Sequence, residues 1–154
     1  MVDVLFANTS IMKFYSISQT HPCFQQTLDL RQRVLRQPLG LNLFQENLSA
    51  EQDQLIFIAE EQSLVLGCLL LQPLGQGVFK LRQMAVHPEW QGKGIGKQLM
   101  QTAEVFAGEA GAQKIILHAR ATALNFYEKL GYQKKGKPFV EVGITHWLME
   151  KVRH

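Results

Sequence analysis

The 154-residue sequence predicts a mixed α/β fold, a sheet covered by helices. Three observations predict it. Short apolar runs of strand length recur through the middle of the chain, the apolar spacing switches to a helical period at Ile95, and strand and helix patterns then alternate to the C-terminus. Hydrophobic residues at 46% and charged residues at 19% belong to an ordinary folded protein, not a disordered one. With no repeat or linker, one compact domain over 1–154 is expected.

The elements follow in chain order. Residues up to Ser10 carry little pattern, and Met12 offers an alternative start. Ile11 to Ile17 alternates as a strand does. Pro22 opens a helical stretch with Phe24, Leu28, Val34 and Leu35 on one broad face, and Pro38 with Gly40 stops it. A short second helix is expected from Ser49, which has N-cap chemistry, through Gln54. Leu55 to Glu60 and Leu64 to Gln72 read as strands separated by the turn Glu61-Gln62-Ser63. Pro73, Gly75 and Gly77 make another turn, and Val78 to Val86 completes the meander. Ile95, Leu99, Ala103, Phe106 and Ala110 then fall at helical spacing, with Gly111 past the end. Lys114 to Ala119 is an unbroken apolar run, expected of a strand covered on both faces. A last helix carries Ala123, Phe126, Tyr127 and Leu130 on one face and ends at Gly131. Two more strands are expected near Tyr132 to Lys135 and Gly143 to Val152.

Composition excludes several classes of function. The net charge of +3 is mild and scattered, and Lys134-Lys135-Gly136-Lys137 reads as a solvated loop, so no nucleic-acid partner is expected. Cys23 and Cys68 form no disulfide framework and have no metal-ligand spacing. Cys68, inside an apolar run, reads as a buried small residue whose surroundings raise its pKa, which argues against a nucleophile. That run is too short to cross a bilayer, and the N-terminus lacks a secretory pattern. A reducing, cytoplasmic setting without a membrane partner is expected.

The chemistry is concentrated after Arg82: a strand ending at Val86, then His87-Pro88-Glu89-Trp90, then Gln91-Gly92-Lys93-Gly94-Ile95-Gly96, then a helix. Pro88 takes the backbone out of the sheet. Glycines allow positive φ and remove Cβ atoms that would keep an anion from the backbone N–H groups. The helix start adds unsatisfied donors and a positive dipole end, and Lys93 and Lys97 add charge at the rim. Together these make an anion cradle suited to a pyrophosphate. A Walker loop fails at Gln91 and Gln98, where glycine and serine or threonine are required. The dinucleotide fingerprint fails because the spacing is G-x-G-x-G.

Gln91, Gly94 and Gly96 resemble the pyrophosphate motif of the GNAT superfamily of N-acetyltransferases. The resemblance extends upstream to Met84-Ala85-Val86-His87-Pro88 and downstream to Phe126-Tyr127-Glu128-Lys129-Leu130-Gly131-Tyr132. It is strong from Lys80 to Tyr132, and Phe139 to His146 is similar to a bacterial subgroup ending in an E-x-G-I-x-H segment. It implies a mostly antiparallel central sheet of roughly six to seven strands flanked by about four helices. It also implies a homodimer as a frequent assembly.

The resemblance implies acetyl-coenzyme A as cosubstrate, with no metal, and direct attack by the primary amine of a small molecule or peptide. The strand of Met84, Ala85 and Val86 would splay from the strand of Ile116 to Ala119, and the pantetheine arm would pair in the gap with backbone of Met84 and Val86. Gln91, Gly92, Lys93, Gly94, Ile95 and Gly96 would hold the pyrophosphate. Tyr127 stands at the family's tyrosine position as a candidate acid, or else is a core tyrosine sharing a face with Ala123 and Leu130. The candidate bases are His146 and Glu141 in the tail and His118 at a strand end, where an imidazole titrates near neutrality. Each has a purely structural alternative.

One departure from the family pattern concerns Arg120, which stands where an asparagine is common. Arginine cannot cap a helix, so Arg120 is left to reach a phosphate, an acidic acceptor or solvent. Arg31, Arg33 and Arg36 either favour an anionic acceptor or solvate a helix face, and Trp90 and Trp147 either stack on a ligand or pack. The competing readings are a non-catalytic acyl-coenzyme A sensor, which would bind without releasing thiol, and an interaction module using a sheet edge, which would not bind.

Overall fold

The computed structural model describes residues 11–153, so the expectations for the chain up to Ser10 lie outside it. Seven strands form one sheet: β1 (Lys13–Ile17), β2 (Leu55–Glu61), β3 (Leu64–Gly75), β4 (Val78–Val86), β5 (Lys114–Arg120), β6 (Gln133–Glu141) and β7 (Ile144–Val152). Their order is β1-β2-β3-β4-β5-β7-β6, antiparallel throughout except for the parallel pair β4–β5. Three α-helices are present among the described residues, one fewer than expected: α1 (Phe24–Arg31), α2 (Ile95–Glu109) and α3 (Leu124–Lys129). The helix expected from Ser49 is a 3₁₀ turn, Leu48–Glu51, because the Ser49 hydroxyl bonds the Asn47 side chain at 2.5 Å rather than capping backbone N–H groups. No helix among the described residues is long and apolar enough to cross a membrane.

The apolar runs of β2 and β3 are explained by two cores, one on each face. Alternate side chains divide between them: Phe57, Ala59, Leu69 and Leu71 pack under α2 with Leu99 and Ala103, while Ile56, Ile58, Cys68 and Leu70 pack under α1 with Leu30. Gly67 sets how close α2 lies, since a Cβ there would stand 2.9 Å from both Ile95 Cγ2 and Leu99 Cδ1.

Several boundaries differ from the sequence reading for local reasons. β3 runs on through Pro73 to Gly75, because a register shift between Pro73 and Gly75 accommodates the missing N–H. β5 is buried on one face only: Ile115, Leu117 and Ala119 join the α2 core, whereas Ile116, His118 and Arg120 are only partly covered. The basic run Lys134 to Lys137 is strand rather than loop, lying on exposed β6 beyond β7. Ala123 precedes α3 in a 3₁₀ turn, Ala121–Ala123. α1 starts after Pro22, at Phe24, and continues as a π-helical turn, Gln32–Arg36, and a 3₁₀ turn, Gln37–Leu39, ending at left-handed Gly40.

The junction between β4 and β5 positions the site. Their pairing begins at Val78–Lys114 and stops at Leu81–Leu117. Just beyond, Gln83 and Met84 of β4 oppose the single residue Leu69 of β3, and Gln83 has φ 56. This is a bulge, which bends and twists the strand carrying it. β4 therefore keeps its β3 partner to Val86 while its other edge is unpaired from Arg82 onward.

Candidate active site

A cleft of about 500 Å³ opens where β4 leaves β5. It passes through the plane of the sheet: Leu69, Leu117 and Met100 line it from the α2 side, and Val34, Leu35 and Arg36 from the π-turn side. Tyr127, His118, His146, Glu141, Met84 and Arg120 all line it, so residues far apart in sequence meet in one space.

The glycine loop forms one approach. Gly92 and Gly94 have φ of 78° and 83°, the left-handed region that side chains strain to adopt. The first backbone bond of α2 runs from Gln98 N–H to Gly94 C=O at 3.1 Å, so the N–H groups of Ile95, Gly96 and Lys97 have no intrahelical acceptor, and no side chain caps the helix. That arrangement fits an oxyanion. The third glycine differs from the sequence reading. Gly96 is helical, and a Cβ there would stand 3.3 Å from Phe126 Cζ and 3.6 Å from Met84 Cε, so its absence leaves room for both side chains. Thus α2, α3 and the β4 bulge are locked together at this point. Lys93 lies over the Trp90 ring at 4.8 Å, which holds its charge at the loop and gives Trp90 a packing role.

Three residues expected at the cofactor play narrower parts. The Ile95 and Ala85 side chains are buried, in the α2 and α1 cores respectively, so each offers only backbone groups. The Gln91 side chain donates to the Val86 carbonyl at 3.1 Å and so pins the loop to β4. Because His87 N–H donates to Leu66 of β3, the Val86 carbonyl must point the other way, into the gap, and the Val86 N–H faces the gap with it.

Three side chains with transferable protons surround the cleft: Tyr127, His146 and His118. The Tyr127 hydroxyl has no hydrogen-bond partner among the described residues, and burial, partly offset by Arg120, pushes its pKa up to about 12. It therefore stays protonated at neutral pH. His146 is buried, stacked 6.0 Å from Phe139, and its Nδ1 lies 2.8 Å from the Ile144 carbonyl. A carbonyl only accepts, so Nδ1 carries the hydrogen and Nε2 of the neutral ring keeps its lone pair. His118 Nδ1 lies 2.9 Å from Glu141 Oε2, with Phe139 edge-on at 4.9 Å. Burial pushes the Glu141 carboxyl up, but the His118 hydrogen bond and charge, with His146 and Lys80 farther off, outweigh it and hold the group below its ordinary value. Two imidazoles, one oriented by a carboxylate and one by a carbonyl, thus share the cleft.

Arg33 is exposed, as expected of an arginine that solvates a helix face, but Arg31 and Arg36 do neither thing expected of them. Arg31 and Arg36 are buried, 2% and 6% exposed. Arg31 makes a fork-to-fork pair with Glu51 at 2.9 and 2.8 Å, and Arg36 pairs with Glu46 at 2.6 Å. Each also reaches Gln83 Oε1 at 3.4 Å. The π-turn brings residues five apart onto one side of the helix, so both guanidinium groups face the bulge. Gln83 was not singled out from the sequence, and nothing in its neighbours marks a bulge. Arg120 neither caps a helix nor joins the glycine loop: its Nη2 lies 3.4 Å from the Leu35 carbonyl across the cleft. Cys68 is fully buried, with its thiol pushed up to about 12, as expected for an inert side chain.

Known proteins align with this arrangement. The family model described as an acetyltransferase (GNAT) domain matches residues 30–153. The uncharacterized protein YyaT of Bacillus subtilis strain 168 is 34% identical over 87 residues, 52% of this chain. The match spans 59% of YyaT's own length. A Lactobacillus plantarum protein put forward as an N-acetyltransferase superposes with a TM-score of 0.80 at 24% identity, covering 94% of this chain and 99% of that one. A GNAT family acetyltransferase from Elizabethkingia anophelis, solved with acetyl-CoA bound, superposes with a TM-score of 0.70 at 17% identity, covering 92% and 98%.

Proposed function

The chain belongs to the GNAT acetyltransferase family, and from that premise we propose that it carries the acetyl group of acetyl-coenzyme A to a primary amine within a ternary complex. One observation carries this reading: a tyrosine hydroxyl without a hydrogen-bond partner among the described residues and two imidazoles converge where β4 parts from β5. The E-x-G-I-x-H resemblance of the tail supports it, since Glu141 and His146 are that segment's acidic and basic members and both line the cleft.

Each residue has a part in the proposal. The amides of Gly92 to Gly96, with Lys93 and Lys97, take the pyrophosphate. The unpaired edge of β4 around Met84 and the Val86 N–H takes the pantetheine arm as an added strand. Bound there, acetyl-coenzyme A supplies an activated acetyl group. His146 Nε2, or His118 held by Glu141, accepts the proton that an ammonium must lose before attack. Tyr127 gives its proton to the departing sulfur. The acceptor is a small molecule or a peptide amine, and the setting is cytoplasmic, supported by the two free thiols.

The test follows free thiol release from acetyl-coenzyme A with an amine panel, alongside calorimetry with coenzyme A. Tyr127→Phe should lower kcat by about a hundredfold while the Kd of acetyl-coenzyme A stays within about twofold. An unchanged kcat removes Tyr127 from the mechanism. Binding without thiol release across the panel would favour an acyl-coenzyme A sensor, and no binding heat would overturn the reading.

A further inference from the structure

The charges lining the cleft do not balance among themselves. Arg36 is held by Glu46 at 2.6 Å, and Arg82 by Gln54 at 2.7 Å and Glu51 at 3.4 Å. Lys80 and Arg120 differ, for neither makes an ion pair among the described residues. Among the described residues the Arg120 guanidinium has a single long contact, to a carbonyl, which leaves most of its donors unused there. Among the described residues Glu141 is the one carboxylate lining the cleft, and its hydrogen bond goes to His118.

Their placement is as informative as their lack of partners. Lys80 is level with Ile116 in the parallel ladder, and His118 and Arg120 follow at alternate positions on the same face of β5. The two cations therefore bracket the His118–Glu141 pair, one toward each end of β5. Burial pushes the Lys80 ammonium down, Arg82 adds to that push and Glu141 opposes it. A partly desolvated cation without a carboxylate is costly, and a bound anion relieves the cost.

We propose that the acceptor is an amine that also carries an anionic group, a carboxylate or a phosphate, and that Lys80 and Arg120 recognise that group while its amine faces the imidazoles. This rests on the acetyl-transfer reading for the amine and adds the class of acceptor to it. Of the three arginines first suspected of this task, Arg31 and Arg36 are already neutralised by Glu51 and Glu46, and Arg33 does not line the cleft.

The experiment uses the full chain, acetyl-coenzyme A and matched pairs of acceptors: dipeptides against their C-terminal amides, and glucosamine 6-phosphate against glucosamine. At least one anionic member should exceed its neutral partner in kcat/KM by about tenfold or more. In the Lys80→Met/Arg120→Met double variant that ratio should fall toward one, and Lys80→Arg should keep it. Which pair responds separates carboxylate from phosphate. Neutral partners that react as well in every pair would overturn the proposal, as would a ratio that the double variant leaves unchanged. If acetyl-coenzyme A binds but no pair reacts, acetyl transfer is what has failed. Calorimetric binding of the same pairs to the coenzyme A complex then decides: tighter binding of the anion, lost in the double variant, upholds the proposal, and equal binding overturns it.

Discussion

The two halves of the sheet are built differently. β2 and β3 are sandwiched, with α1 on one face and α2 on the other, and Ile58, Ala59 and Leu71 are wholly excluded from solvent. β5 and β7 pack one face against the α2 core and leave the other largely open, and β6 beyond them is exposed along nearly its whole length, with Val140 73% exposed. β4 belongs to both halves, paired throughout to β3 and only in part to β5. The contrast teaches where precision comes from. The proposed reacting groups stand on the open half, but the strand edge that they face is fixed by the buried one.

The largest test of this contrast is stability. Ile58→Ala or Leu99→Ala should cost roughly 2–5 kcal/mol in chemical denaturation, whereas Val140→Ala should change stability by less than about 0.5 kcal/mol. Comparable losses at both places would show that the halves share one level of constraint. The next test is at the boundary. Gln83→Ala removes the acceptor shared by Arg31 and Arg36, and should reduce kcat/KM by about tenfold while costing roughly 1–2 kcal/mol of stability. A stability loss without an activity loss would detach the bulge from the site.

Within the open half, Glu141→Gln should act on chemistry rather than folding. The Glu141 carboxylate, held below the ordinary carboxylate range, orients the His118 ring through a 2.9 Å hydrogen bond, so its loss should lower kcat/KM by about tenfold with stability little changed. An unchanged kcat/KM would point to His146 as the base. The smallest effect is expected in the buried half. The Tyr15 hydroxyl, above all, holds the Glu60 carboxyl below its ordinary value by a 2.9 Å hydrogen bond, with the Ser63 N–H assisting and burial opposing. A lowered carboxyl pKa contributes stability that is complete above the unfolded-state value and is lost as the pH falls through the folded one. Tyr15→Phe should therefore cost about 1 kcal/mol near neutrality and less in acid. Equal costs at both pH values would contradict this linkage.

The sequence disclosed what depends on local backbone chemistry and little of what depends on long-range pairing. Gly92 and Gly94 were readable because positive φ selects glycine, and the period change at Ile95 marked the first residue of α2. The helix carrying Tyr127 was readable because it ends at Gly131, which has φ 96. By contrast, Gln83 adopts φ 56 under tertiary constraint, from two arginines that are themselves oriented by Glu46 and Glu51. No spacing rule connects those residues. Lys80 was passed over because an alternating strand gives a lysine there the look of a solvent-facing residue, and only the parting of β4 from β5 turns that position into a cleft wall. Open-faced β5 was misjudged for a similar reason: Ile116 counts as apolar whether or not anything covers it.

The outermost strand has one further consequence. β6 presents Lys134, Lys135 and Lys137 to solvent, and its pairing with β7 lapses between Lys135 and Phe139, where Pro138 offers no N–H. A border with like charges and an interrupted row of donors is a poor template for another chain. The open half of the sheet can thus leave its face uncovered without recruiting stray β-strands along its rim.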